Sequence, residues 1–424
     1  MLRISSSGTL DGYLMISRIA WRNILRNKRR SFILITSIVV GVLGLVFTEG
    51  FAVGMMQQML TNQIGADAGY IQIHKKGYQS DPTLENSMTD PAEVRSVLRS
   101  DSASLDYSER LRVFGLISSA YNSYGVSIVG IVPNEEKKIT TISEYVAKGS
   151  YLTGKPGQIL ISASMAEKLK VGLGDKVVIM ASQMNGSIGS EACRVTGIFE
   201  TFNSGFDQSH VYIPILTADQ MLNADGLVSE FVVNPINPND MSSIASSIRD
   251  GIAGLPENAG KYEVLTYEQM LPLLVAQLAL YKQALYLVAG LIAFALIFGI
   301  IDTMLMSVME RTHEFGVSMA IGMSNGKIFT MVMTEAFYLA ITGTAMGLAA
   351  SYGVFLPLSH SGWDLSMFSA SLKSIGIGSI IYPVLDASSV VQTVLIIPIA
   401  TLLGAVYPAL KAIRLQPVEA IRAT

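Results

Sequence analysis

The chain has 424 residues, half of them hydrophobic and only 15% charged, with a mean hydropathy of +0.43. An ordinary soluble domain carries about 25% charged residues, so the composition argues against a wholly soluble protein and for a membrane protein with some soluble mass. The net charge of -3 argues against nucleic acid as the main partner, and one cysteine with four scattered histidines supplies neither an internal disulfide nor a metal site.

Residues 1–13 are polar and unpatterned and read as a frayed terminus. Residues 16–30, ISRIAWRNILRNKRR, place Arg18, Arg22, Arg26 and Arg29 on one side of a helical wheel and Ile16, Ala20, Trp21, Ile24 and Leu25 on the other. That pattern suits a helix lying in the membrane interface with its cations toward lipid headgroups. A basic flank that orients the following span explains the same residues. Residues 1–30 thus form a terminus plus an amphipathic interfacial helix.

Residues 31–48 are uncharged and long enough, with their flanks, to cross a bilayer core of about 30 Å. The apolar stretch is too long for a cleaved signal peptide and no small-residue cleavage site follows, so it reads as a retained signal anchor. Apolar patterning continues through Met55, Met56 and Met59, which gives a first transmembrane helix with an extension over residues 31–64 and puts Glu49 at its outer interface.

Residues 65–266 have the composition of a soluble domain. Strand-like runs at 70–74, 111–121, 126–132, 158–161, 176–180, 192–199, 210–213 and 230–233 alternate with amphipathic helices at 91–99, 164–169 and 241–252. The result is an α+β domain of about 200 residues, large enough for its own core and divisible into two lobes.

A stalk and second transmembrane helix follow at 267–309, its uncharged run ending at Asp302. A short charged segment occupies 310–327. The third transmembrane helix, 328–358, contains Glu335 and the small residues Gly343, Ala345, Gly347, Ala349, Ala350 and Ser351, spaced to let another helix approach closely in lipid. A polar excursion at 359–388, a fourth transmembrane helix at 389–410 and a basic tail at 411–424 complete the chain.

Basic residues crowd at Arg18–Arg30, at Arg311 and Lys327, and at Lys411, Arg414 and Arg422, whereas the 359–388 excursion holds only Lys373. Four spans then put both termini and residues 310–327 in the cytoplasm and the α+β domain outside. The fold class expected is an α-helical membrane protein with four transmembrane helices plus an α+β extracytoplasmic domain inserted between the first and second.

Candidate chemistry is sparse. GMSNGK at 322–327 is one spacer short of a phosphate loop and has Ile328 where a hydroxyl should follow the lysine, so any ATP must be hydrolysed elsewhere. His313-Glu314 lacks the second histidine of a zinc hydrolase. Asp207, Ser209 and His210 are sequence neighbours that alternate faces and do not converge as a triad. Asp302 and Glu335 are acids at or near membrane depth and hence functional candidates by default. Lying within about two turns of the charged segment, they read better as interfacial groups that pair or hydrate there.

The segment ERTHEFGVSMAIGMSNGKIFTMVMTEA (310–336) resembles the ERxxEIGxxxAxG signature of MacB/FtsX-type ABC transporter permeases, the group that includes the lipoprotein-releasing LolC and LolE. YPALKAIRLQPVEAIR (407–422) is similar to that family's ending, WRNILRNKRRSFI (21–33) to its amphipathic start, and residues 158–179 and 195–214 to its extracytoplasmic domain. The resemblance implies a multi-pass inner-membrane subunit that is not itself an enzyme. Its partners would be a cytoplasmic ABC ATPase dimer, which holds the ATP and magnesium, and a second permease copy or paralogue. Membrane lipids and a lipoprotein or periplasmic adaptor complete the expected set.

The same resemblance makes 310–327 a coupling helix, with Glu310, Arg311, Glu314, Phe315, Gly316, Ala320 and Gly322 as its positions. Charges would fix register while Phe315 and Met319 filled a groove on the ATPase. Phe315 and residues 317–319 depart from the usual Ile and Leu-Arg, and Asp302 stands where relatives often carry an uncharged polar residue. Two rival functions remain: an FtsX-like regulator that activates a periplasmic cell-wall hydrolase without transport, and a membrane sensor that gates a signalling partner.

Overall fold

The computed structural model describes residues 7–101, 103–255 and 260–414, with side chains from Ser17 onward. The chain divides into two compact units. One is helical and comprises the described residues up to Met56, Leu278–Asp364 and those from Ile380. The other comprises Gln57–Gln277 with Leu365–Ser379.

Helix α1 spans Ser7–Arg26, so the backbone is helical well before residue 13, and α2 spans Lys28–Gln63. The break at Asn27 separates Arg29 from Arg18, Arg22 and Arg26, which share α1; all four are exposed. Trp21 and Leu25 are exposed as well, while Ala20, Asn23 and Ile24 are buried, so the inward face of α1 is narrower than the wheel suggests. Trp21 packs edge-on against Tyr338 at 5.6 Å, and the Ser17 and Tyr338 hydroxyls are 2.6 Å apart.

After α2 a π-helical turn, Ile64–Ala68, leads into the β-rich unit. Its strands are β1 (Ile71–Lys75), β2 (Leu105–Ser118), β3 (Ser123–Ile131), β4 (Val146–Gly149), β5 (Gln158–Ser162), β6 (Lys176–Ser182), β7 (Ile188–Phe199), β8 (His210–Pro214), β9 (Glu230–Pro235) and β10 (Tyr262–Thr266). Between them lie α3 (Pro91–Ser100), α4 (Pro133–Ile139), α5 (Ala163–Leu169), α6 (Ser204–Asp207), α7 (Ile215–Leu222), α8 (Met241–Ala253) and α9 (Tyr267–Met270).

The strands run β10-β1-β9-β2-β3-β8-β5-β7-β4, and β6 bridges β7 back to β2. Strands β2, β3, β8, β5, β7 and β6 therefore close on themselves around Leu111, Val113, Ile117, Ile128, Ile161, Ile179, Cys193 and Val211. Strands β10, β1, β9 and the start of β2 form a second lobe under α3 and α8, with Ile73, Leu98, Phe231 and Ile248 in its core. The two lobes share β2. Alternation explains the division of faces: odd residues 111, 113 and 117 point into this closed set of strands and even residues 110, 112, 114 and 116 to its other side, where Phe114 and Leu116 are exposed but Arg110 is buried.

The remaining helices are α10 (Pro272–Glu310), α11 (Thr312–Ala320), α12 (Asn325–Ser361), α13 (Ser369–Ser374) and α14 (Ala387–Ile413). A two-residue pairing of β11 (Trp363–Asp364) with β12 (Ile380–Ile381) closes the excursion after α12. Among the described residues four helices, those beginning at Lys28, Pro272, Asn325 and Ala387, are long and apolar enough to cross a membrane. The tail motif beyond Arg414, including Arg422, lies outside the described residues.

Small residues set the helix packing. A Cβ on Gly343 or Gly347 would sit 2.7 Å from Ile38 and 2.6 Å from Val42, so α12 meets α2 almost backbone to side chain. Gly343, Gly347 and Ser351 form the buried line at i, i+4 and i+8, whereas Ala345 and Ala349 are exposed. Glu49 of α2 is buried with neither carboxylate oxygen in hydrogen-bonding geometry, although the Ser389 hydroxyl faces it.

Candidate functional site

The link between α10 and α12 is built from the chain's own punctuation. Arg311 breaks the helix for one residue between Glu310 and Thr312. Helix α11 then stops at Gly322, whose φ of +95° suits glycine and whose N–H donates to the Met319 carbonyl at 3.0 Å. The helix proper is thus nine residues, shorter than the 310–327 segment, and residues 325–327 already belong to α12.

Its two faces differ. Arg311, Phe315 and Gly316 are buried, with Phe315 only 1% exposed inside the helical core. Phe315 therefore cannot enter a partner's groove; it supports α11 from beneath, and Met319, half-buried against the same core, does likewise. The outer face carries His313, Glu314, Val317, Ala320 and Ile321, the last 82% exposed, followed by exposed Gly322.

A set of ion pairs fixes α11. Arg311 Nη1 donates to Glu335 Oε2 at 3.0 Å, with both side chains about nine-tenths buried. Its Nε donates to Glu314 Oε2 at 3.0 Å, and its guanidinium lies 5.1 Å from the centre of the Phe315 ring. Arg26 of α1 pairs with Glu314, and Arg30 of α2 pairs with Glu310. Burial alone would raise the Glu314 carboxyl, but its bond to Arg311 and the charges of Arg311 and Arg26 hold it below the ordinary carboxylate range.

Glu335 therefore belongs to this device as the acceptor that holds Arg311. Asp302 does not: it is exposed on α10, with no ion pair or hydrogen bond among the described residues. Arg18, Arg22 and Arg29 face outward without partners in the cluster.

Two family descriptions match the chain: the MacB-like periplasmic core domain over residues 31–250 and the FtsX-like permease C-terminal region over residues 286–417. The chain belongs to the MacB/FtsX-type ABC transporter permeases. This permease is 24% identical over 310 residues to a lipoprotein-releasing system transmembrane protein LolC of Xylella fastidiosa, covering 69% of this chain and 72% of that one. It is 23% identical over 427 residues to the ABC transporter permease YknZ of Bacillus subtilis, covering 96% and 98%. The extracellular domain of a YknZ transporter from Gram-positive bacteria aligns with 47% of this permease and all of that domain, at 17% identity and a TM-score of 0.36.

A second charged centre, absent from the expectations above, lies inside the β-rich unit. Arg110 Nη2 and Nε donate to the two oxygens of Glu136 at 2.7 and 3.2 Å, and its Nη1 donates to Glu230 Oε1 at 3.1 Å. Arg112 Nη2 donates to Asp67 Oδ1 at 2.6 Å and to Glu230 Oε1 at 2.9 Å. The available signal was the spacing of Arg110 and Arg112, which puts two cations on one face of one strand. Ser209 and His210 do meet, Oγ to Nδ1 at 2.9 Å, against the expectation that such neighbours diverge, because the side chains lie where the turn enters β8; Asp207 instead accepts from Thr201 Oγ1 at 2.7 Å, so the three do not form a triad.

Proposed function

We propose that this permease is the membrane subunit through which ATP hydrolysis on a separate cytoplasmic ABC ATPase dimer, with its ATP and magnesium, drives movement of an extracytoplasmic β-rich domain. It holds no nucleotide and catalyses nothing itself. Its place is the bacterial inner membrane, with both termini cytoplasmic. It acts alongside a second permease copy or paralogue, on a lipoprotein or another amphiphilic cargo.

One observation carries the reading. A nine-residue helix joins two helices long enough to span a membrane, clamped from within by Arg311, Glu335 and Phe315, and bare on its outer face. A helix so held transmits a push instead of absorbing it, because the packing and buried ion pair beneath it resist displacement. The outward residues, Val317 and Ile321 flanked by Glu314, give a small apolar contact with a charge to set register. The likeness to a lipoprotein-releasing system protein supports the amphiphilic cargo.

Purification of the intact complex from its own membrane tests this. An ABC ATPase should co-purify with the wild-type chain and be lost with Val317→Asp or Ile321→Asp, both exposed sites where the change leaves the core untouched. If no ATPase accompanies the chain, or both variants retain it, the docking assignment is wrong. Photocrosslinkers in the β-rich domain should trap an acylated protein; capture of a peptidoglycan hydrolase would favour the regulator instead.

A further inference from the structure

The π-helical turn at Ile64–Ala68 ends the long helix α2 inside the β-rich unit, where its terminal carbonyls need partners. Four successive carbonyls find them in the domain. Gly65 O accepts from Thr141 N at 2.9 Å, Ala66 O from the Tyr212 hydroxyl at 3.5 Å, Asp67 O from Arg110 Nη1 at 2.8 Å, and Ala68 O from Gln72 Nε2 at 2.7 Å. These partners come from the segment after α4 and from β8, β2 and β1, so the helix end is bonded to both lobes at once. Gly69 closes the turn at φ +63°, with Val232 so near that a Cβ would lie 2.2 Å from it.

The charges converge on the same place. Arg110 and Arg112 lie on β2, the strand the lobes share, and are surrounded by Glu136, Glu230 and Asp67. His74 stands 3.8 Å from Glu230, and His210 stands 3.9 Å from Asp67. Arg110, Glu136 and His74 are completely buried. Three carboxylates face the two arginines, and each arginine donates to two or more of them. Asp67 is the one charged group in this cluster contributed by the helix end, and its backbone and carboxylate both meet Arg110.

We propose that this socket is the joint that passes displacement of α2 to the two lobes, with Asp67 the positioning residue that locks helix to sheet. The proposal rests on the ATP-driven motion proposed above. A socket of paired charges suits such a joint because its geometry is specific: a lateral shift of the helix end would strip the fully buried Arg110 and the mostly buried Arg112 of an acceptor.

The test uses the full chain in nanodiscs with its co-purified ATPase and a pair of spin labels at exposed Met306 on α10 and exposed Ser190 on β7, a distance that changes only if the lobes are moved relative to the long helices. The wild-type distance distribution should shift when ATP is trapped. In Asp67→Asn the shift should be lost while ATP turnover continues, whereas Glu136→Gln, which removes a carboxylate from the same network but not from the helix, should keep it. Gln72→Met, which frees the Ala68 carbonyl and the His74 ring nitrogen that Gln72 Oε1 meets at 2.8 Å but leaves every carboxylate in place, provides a second variant and should reduce the shift if Asp67→Asn does not fold.

A normal shift in Asp67→Asn, or in Gln72→Met where that variant replaces it, overturns the joint. Equal loss in Asp67→Asn and Glu136→Gln also overturns it, since the network would then be a structural element with no privileged link. A wild-type complex that hydrolyses ATP without any shift overturns the underlying functional reading as well, and is distinguishable because no variant is needed to see it.

Discussion

Replacing Glu335 with Gln is the sharpest probe of the segment between α10 and α12. The wild-type carboxylate accepts from Arg311 Nη1 at 3.0 Å in a setting where both side chains are about nine-tenths buried. A hydrogen bond to a charged partner contributes about 1.5–3 kcal/mol, and removing one member of a buried pair costs about 3–5 kcal/mol when nothing replaces it. Here Arg311 keeps Glu314 at 3.0 Å and the Phe315 ring, so about 2–3 kcal/mol is expected. That loss should appear as local opening of α11, with amide exchange across Thr312–Ala320 faster by about 30- to 150-fold. Hydrogen–deuterium exchange of the chain in nanodiscs reads this directly, with the amides of α12 as an internal reference. Unchanged exchange in Glu335→Gln would refute the claim that the buried pair holds α11. Arg26→Ala provides the contrast. Its pair with Glu314 is about half exposed on each side, so the loss should stay below about 1 kcal/mol.

Other expectations follow from the same coordinates. Gly347→Leu puts a side chain where Val42 already stands, and should destabilise the bundle by about 1–3 kcal/mol or more; Ala349→Leu, on the exposed side, should leave the unfolding temperature unchanged, and equal effects would sink the packing argument. Burial lowers the His210 imidazole and Arg112 adds to this, outweighing the pull of Asp67, so the unfolded chain takes up this proton first and stability should fall as pH drops through about 6.5. For Asp67 and Glu230, burial is outweighed chiefly by Arg112 and Arg110, which hold both carboxyls below the ordinary range; their contribution is present above about pH 4 and lost as pH falls below it. Thermal unfolding between about pH 7.5 and 5 should therefore show a decline that His210→Gln removes, and a flat wild-type profile would contradict this. Burial pushes the Cys193 thiol up to about 12, so maleimide should fail to label it in the folded chain at neutral pH and should label it after denaturation.

How much of this was legible in the residues differs by region. The apolar helices, the order of most strands and the charged link were visible because each depends on a local pattern: long uncharged runs, period-two alternation, or charges in an unlikely place. The apolar pattern marks strand β2 only from Leu111, six residues after its start at Leu105, because the charged residues Asp106, Glu109 and Arg110 interrupt it. Their burial depends on Glu136, Glu230 and Asp67, which lie 26, 120 and 43 residues from Arg110, and no local rule reports such a meeting. The short strands β4 and β10 carry no clear pattern of their own for a related cause: each is held by its neighbour, β7 and β1 respectively. The small-residue stripe on α12 was seen, but only the packed bundle distinguishes Gly343 and Gly347 from Ala345 and Ala349.

The charged segment shows the same limit at finer scale. Sequence similarity treats Glu310 through Gly322 as one motif, and a motif invites the assumption that all its members face one partner. The fold divides them. Arg311, Phe315 and Gly316 serve the permease's own interior, and the exposed Val317 and Ile321 were not among the residues that the pattern singles out. In the coupling role proposed for this segment, a motif must satisfy two demands at once, rigidity toward its own helices and fit toward a partner, and Arg311, Phe315 and Gly316 meet the first. Substitutions chosen from the motif alone, such as Gly316→Trp, would break the support beneath α11 and report on folding. Substitutions on the outer face separate docking from stability, which is why Val317 and Ile321 carry the test of function and Glu335 the test of structure.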